Sequence, residues 1–190
     1  MSRNPSQAHC FSKANKRDAD SSYIHFYEHD YNFEQLWRSP YQQLPKIQAY
    51  GGALGPDPSV YREMPLSQQI QSVYKSRVLG YWLAKEGVNL IPNVRWGDER
   101  TFAFCFDGLP RDSVLAIGTH GCVKHLDDRR YFINGLLEML ERLRPKALVV
   151  YGSISEKLFP PIFVNGTDII PFESDFSLSR KKEEVRYGWR

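Results

Sequence analysis

With 190 residues, 42% of them hydrophobic and 14% aromatic, the chain is long enough for one well-buried core and too short for two ordinary domains. Its net charge of +3 is held at the ends: residues 1–20 carry four Lys/Arg against two Asp, and residues 179–190 carry five against two Glu, so the body is slightly acidic. That composition argues against a basic folded surface for nucleic acid and leaves the basic tails to make weak, salt-sensitive phosphate contacts.

Residues 1–21 are polar, with Phe11 their one aromatic side chain, and are expected to form a flexible arm; residues 22–176 are expected to make the domain and 177–190 a basic tail. Residues 23–27 alternate like a first strand, and residues 32–38 read as a short helix stopped by Ser39-Pro40. A strand over residues 49–54 is surrounded by Gly51, Gly52 and Gly55, which imply close backbone approach, and it empties into Pro56-Asp57-Pro58-Ser59. Residues 66–85 carry Leu66, Ile70, Val73, Tyr74 and Tyr81 at helical spacing, and Gly87 ends the helix.

Leu90, Ile91 and Val94 then form a strand on which Asn93 and Arg95 share one face by the period of two, and Gly97-Asp98 reads as a turn capping a helix over 99–106. Residues 114–119 are a continuous apolar run, the pattern of a strand covered on both faces, and empty into His120-Gly-Cys-Val-Lys124. A helix over 127–143, a strand over 147–151 followed by Gly152-Ser153, and a strand over 168–172 complete the chain. Strand and helix alternate throughout. The expected fold is therefore a single α/β domain: a mainly parallel sheet of five to six strands with helices on both faces, either open and doubly wound or curled into a partial barrel.

Pro56-Asp57, Tyr61-Arg62-Glu63-Met64-Pro65, Leu79-Gly-Tyr-Trp82, Pro92-Asn-Val-Arg-Trp-Gly-Asp-Glu-Arg100, Gly118-Thr-His-Gly-Cys122 and Tyr151-Gly-Ser153 occur together in this order. In these motifs, over residues 23–175, the chain resembles the domain-of-unknown-function family 4417 of bacteria, phages and other mobile elements. The resemblance implies a mobile-element setting and no particular reaction. Pro58 stands where that family often has an aromatic residue.

In parallel α/β proteins ligands bind at the carboxyl edge of the sheet, where strand-to-helix loops converge. The residues expected there are Asp57, Asn93, Arg95, Trp96, Asp98, Glu99, His120, Lys124, Tyr151 and Ser153. Asp57 and Glu99 are the candidate acid, base or nucleophile, with His120 assisting. The plainer readings are an Asx-turn residue for Asp57 and a first-turn residue favoured by the helix dipole for Glu99; Asp98 reads as the cap. Arg95 and Lys124 suit a phosphate or carboxylate, unless Arg95 pairs with Asp98 or Glu99 to fix the turn. Asn93, Trp96, Tyr151 and Ser153 are the other substrate-binding candidates, Trp96 as a stacking surface for a base.

His120 with Cys122 makes a weak metal signal, so no metal site is assigned and no cofactor is identified. Gly-x-Gly-x-x-Gly, Walker and Gly-x-Ser-x-Gly patterns are missing, which disfavours an ordinary nucleoside-triphosphatase or α/β-hydrolase. Three cysteines, no apolar leader and no run of membrane-span length give the expectation of a reduced, cytoplasmic protein with no membrane contact. The function these features favour is a hydrolase or transferase acting on a nucleotide, nucleoside or nucleic-acid end, with a small anionic or nucleotide-like ligand as partner. The alternative is a non-catalytic accessory module binding nucleic acid or protein.

Overall fold

The structure, a computed structural model, describes residues 8–14, 22–119, 125–160, 166–172 and 174. The elements follow in the order β1 (Ala8–Cys10), β2 (Tyr23–His25), α1 (Glu34–Arg38), α2 (Pro40–Gln48), β3 (Gly52–Leu54), α3 (Leu66–Lys85), β4 (Leu90–Ile91), β5 (Val114–Gly118), α4 (Leu126–Leu143), β6 (Ala147–Tyr151) and β7 (Asp168–Phe172). Every strand pairs in parallel with the next, β1 to β4 in one set and β5 to β7 in another. A parallel bridge between Asn93 and Ala116, with Val94 donating to the Ala116 carbonyl at 2.8 Å, joins the two sets into one sheet in sequential order.

That sheet is curled. The rings of His25 and Tyr151, on β2 and β6, lie 4.4 Å apart, and Tyr27, just beyond β2, stacks on Tyr151 at 4.7 Å. Four strand spacings of a flat sheet would separate β2 from β6 by about 19 Å. The strands therefore bend round a shared interior, to which successive strands contribute Tyr23, Leu54, Ile91, Ala116, Val149 and Phe172. Of the two forms left open by the sequence, this is the partial barrel.

Among the described residues the four α-helices all pack on the outer face, and this corrects the expectation of helices on both faces. The outer side of β2 and β3 meets Leu36, Leu44, Ile47, Leu79 and Leu83 of α1, α2 and α3, and the outer side of β5 and β6 meets Phe132, Leu136, Met139 and Leu143 of α4. No helix residue joins the interior cluster among the described residues. The physical reason is the strand order: right-handed crossovers put their helices on opposite faces only where the order reverses, and here it never does.

Two further expectations change. Ala8–Cys10 pair with β2 and Phe11 is buried, so part of the stretch read as an arm belongs to the fold. α1 stops at Arg38, before Ser39-Pro40, as expected, but Pro40 then begins α2, a helix not read from the sequence, because proline lacks only an N–H that the first turn leaves unpaired. The expected α3 spans the observed residues, and α4 begins one residue before its expected start. Among the described residues, no helix is long and apolar enough to cross a membrane.

Candidate functional site

The chain leaves β3 through Gly55-Pro-Asp57, and Asp57 turns inward beneath the end of β4. Gly55 permits this, since a Cβ there would stand 2.7 Å from the Asn93 amide nitrogen. Asn93 donates from its side-chain amide to Asp57 Oδ1 at 2.7 Å. Arg95, two residues on and on the same face, donates from Nε to the same oxygen at 2.8 Å and from Nη2 to Oδ2, forming a bidentate fork. The Asp57 carboxylate thus carries three donors while only 7% exposed. A buried carboxylate requires such compensation, and the planar guanidinium supplies two aligned donors together with the opposite charge.

Tyr27 extends the network, donating its hydroxyl to Asn93 Oδ1 at 2.8 Å. Burial, reinforced by the nearby Asp57 charge and partly offset by Arg95, holds its phenol well above the usual tyrosine range, so the hydroxyl remains a proton donor. Gly118 at the end of β5 leaves room for both partners: a Cβ there would lie 2.9 Å from the Tyr27 ring and 3.1 Å from Arg95 Nη2. From the far side, Arg77 of α3 donates to the carbonyls of Asn93, Cys105 and Asp107 and pins the end of β4. Burial lowers its pKa to about 10, which still leaves it charged at neutral pH.

Above this floor opens a pocket of about 780 Å³. Its walls are the segments leaving β2, β3, β4 and β5 and the first turns of α4, which is the carboxyl edge of the sheet. Arg62 reaches across to Asp128 at 2.6 Å, with its guanidinium 4.4 Å from the centre of the Tyr131 ring. Ser59 is held by Asp30 through its backbone N–H and, at 2.8 Å, its hydroxyl. Among the described lining residues five carboxylates, of Glu28, Asp57, Glu63, Asp127 and Asp128, face two guanidiniums, Arg95 paired with Asp57 and Arg62 with Asp128 and Glu63. The described wall is therefore acidic and rich in acceptors. No group of three or more potential metal ligands occurs among the described residues.

Residues 2–172 match the family model described as "Domain of unknown function (DUF4417)". The chain belongs to this family. It is similar to the Gene 1 proteins of Mycobacterium phage D29, at 40% identity over 69% of this chain and 48% of the relative, and of Mycobacterium phage L5, at 39% identity over 69% and 57%. The chain spans about half the length of these curated relatives. No solved structure matches it.

In this member of the DUF4417 family the structure brings Asp57, Asn93 and Arg95 together, and Trp96 lines the same pocket. Trp96 is largely core, packed on Phe106 and Phe132 and donating to the Tyr131 carbonyl at 3.3 Å. Tyr151 lies in the interior beneath Tyr27. Other candidates fall away from the pocket. Glu99 is exposed and accepts from Asn134 at 3.0 Å, while Asp98 caps the helical turn Glu99–Ala103 and is gripped by Arg100, which keeps its carboxyl below the usual range. Both keep the plainer roles that their place at a helix start allows. Ser153 is exposed, and its carbonyl accepts from the Thr119 hydroxyl at 3.1 Å. His120 and Lys124, with Cys122, lie outside the described residues.

Sequence reasoning missed Tyr27 and the bracing role of Arg77. The signal for Tyr27 was its place as the last residue of the strand expected over 23–27, at the edge where Asn93 and Arg95 were sought.

Proposed function

We propose that this domain is an enzyme, a hydrolase or transferase, whose pocket takes a nucleoside or nucleoside monophosphate. The observation that carries the reading is the Asp57–Arg95–Asn93–Tyr27 network, closed around the buried Asp57 and Asn93 side chains at the floor of a ligand-sized pocket. Burying an ion pair costs more than an apolar replacement of the same shape, so its retention at a pocket floor supports a site. The volume suits a ligand of nucleoside size. Carboxylates on the wall accept hydrogen bonds from sugar hydroxyls and exocyclic amines, whereas an acidic wall disfavours a polyphosphate. Tyr61, Tyr131 and Trp96 offer aromatic surface for a base.

In this reading the Asp57 carboxyl group, fixed by Arg95, orients the attacking hydroxyl or water, and Tyr27 keeps Asn93 in register. Arg62 contacts a monophosphate where one is present, and His120 and Lys124, which follow Thr119 in the chain, are the further candidates for proton transfer and anion binding.

The test is a thermal-shift panel of nucleosides and nucleotides, followed by product analysis with any ligand that stabilises the protein. Tyr27→Phe, which keeps the ring and removes only the hydroxyl, should reduce turnover while leaving ligand stabilisation largely in place. Failure of every panel member to raise the melting temperature sinks the reading. The mutual saturation of Asp57 and Arg95 favours a second reading, a binding module without chemistry, which predicts ligand stabilisation with no product.

A further inference from the structure

On the wall of the pocket, Tyr131 and Asp128 together hold a flat cation. The guanidinium of Arg62 lies 4.4 Å from the centre of the Tyr131 ring and donates to Asp128 Oδ1 at 2.6 Å. Tyr131 and Asp128 stand three positions apart on α4, a spacing that puts both side chains on one face, and all three residues line the pocket. The seat grips its occupant in two ways: the negative face of the ring draws its charge, and the carboxylate takes its N–H groups at the edge. Arg130 meets the same ring at 5.0 Å and donates to its hydroxyl at 3.2 Å, but does not line the pocket. The hold on Arg62 is weak. Its side chain and that of Asp128 are partly exposed, so water screens the pair, and Glu63 is farther off at 3.6 Å and well exposed. A second flat cation therefore displaces Arg62 at small cost. Five carboxylates against two guanidiniums on the described wall favour its arrival, since an added positive charge reduces the surplus.

We propose, on the reading of this pocket as a nucleoside site, that the nucleoside it takes bears a positively charged base, which replaces the Arg62 guanidinium on Tyr131 and against Asp128. A base made cationic by alkylation of a ring nitrogen is flat, as the guanidinium is, and covers more of the tyrosine ring. Its exocyclic amine supplies the N–H groups that Asp128 accepts. A neutral base gains the stacking without the attraction of its charge to the ring face and the carboxylates. The displaced guanidinium is then released from Asp128, so a monophosphate on the same nucleoside finds a cation even beside an acidic wall.

The test is calorimetric titration of the full 190-residue chain with 1-methyladenosine against adenosine and 3-methylcytidine against cytidine, at neutral pH, where both methylated bases are cations. Each cation is expected to bind at least about tenfold tighter than its neutral parent. Asp128→Asn, which keeps the shape of the side chain, should bring the members of each pair close to parity. Arg62→Ala, which empties the seat, should tighten both cations several-fold and leave the neutral parents unchanged. Melting curves of the unliganded variants show that each is folded. Absence of binding by all four nucleosides overturns this inference and the nucleoside reading together. Neutral parents that bind as tightly as their methylated forms overturn the cationic base alone and leave the nucleoside reading standing. A preference for the cations that survives Asp128→Asn, or that Arg62→Ala weakens, overturns the seat on Tyr131 and Asp128.

Discussion

Arg95, just beyond β4, forks the carboxylate of Asp57, which stands 38 positions earlier at the exit of β3. The two strands are neighbours, and the pair closes the floor of the pocket between them. Arg95→Ala leaves Asp57 buried with the Asn93 amide set against its charge, and breaking a buried pair in this way costs about 3–5 kcal/mol. At about 2–4 °C per kcal/mol for a chain of this size, the melting temperature should fall by roughly 10 °C. Asp57→Ala combined with Arg95→Ala should cost less than the two single changes added together, since the second removal relieves the charge stranded by the first. Chemical denaturation of the four proteins measures this coupling, and strict additivity would show the two groups to be independent.

Gly135 sets two opposing effects against each other. Alanine in the middle of α4 gains about 1 kcal/mol of helix propensity. Its Cβ, however, would fall on the Trp96 indole, and overpacking of a closed core costs about 1–3 kcal/mol. The indole would also be pushed from the Tyr131 carbonyl. Gly135→Ala is therefore expected to lower the urea midpoint and alter tryptophan emission; a more stable variant would mean that α4 can shift outward without loss.

Alkaline stability should carry the mark of Cys105. Burial raises its thiol from the ordinary 9.0 to about 12, with the Thr101 hydrogen bond and the nearby Arg77 charge offsetting part of the rise. The folded state then holds a proton that the unfolded state releases above pH 9, so this contribution is complete below pH 9 and is lost as pH climbs towards 12. Tyr27, also raised, acts in the same sense above pH 10. Arg77 acts in the opposite sense: its lowered value makes the unfolded state the better proton binder above about pH 10. Denaturation midpoints measured from pH 8 upwards should decline, beginning near pH 9, and Cys105→Ala should flatten the first part of that decline. An equal slope in the variant would assign the loss elsewhere.

These relationships were unequally legible in the sequence. The ends of α3 and α4 follow from local signals, such as helical spacing, the loop residue Pro65 and the break at Gly87, which act within a turn or two of the residue concerned. Asn93 and Arg95 were placed on one face for a similar reason, the two-residue period of a strand. Their partner was not legible. Local reasoning offered Arg95 the carboxylates of Asp98 and Glu99, whereas the structure supplies Asp57, which depends on β3 lying beside β4. Strand order also decides which faces the helices cover, and an apolar run such as Ala147–Tyr151 is the same whether its second face meets a helix or the inside of a barrel. Ala8–Cys10 is too short for any period to show.

Arg62 is the second guanidinium of the pocket, and its surroundings differ from those of Arg95. Its side chain is 28% exposed and that of Asp128 23%, so water screens the pair and Arg62→Ala should change stability by under about 1 kcal/mol. Its effect should fall on ligand choice. If the pocket takes both a nucleoside and its monophosphate, Arg62→Ala should remove the preference for the monophosphate and spare the nucleoside. Asp128→Asn should strengthen that preference, because the guanidinium it now holds at 2.6 Å becomes available to the phosphate. Titration calorimetry of both ligands against the two variants measures the difference. Equal losses for nucleoside and monophosphate would assign Arg62 to shaping the wall against Tyr131 and not to contacting an anion.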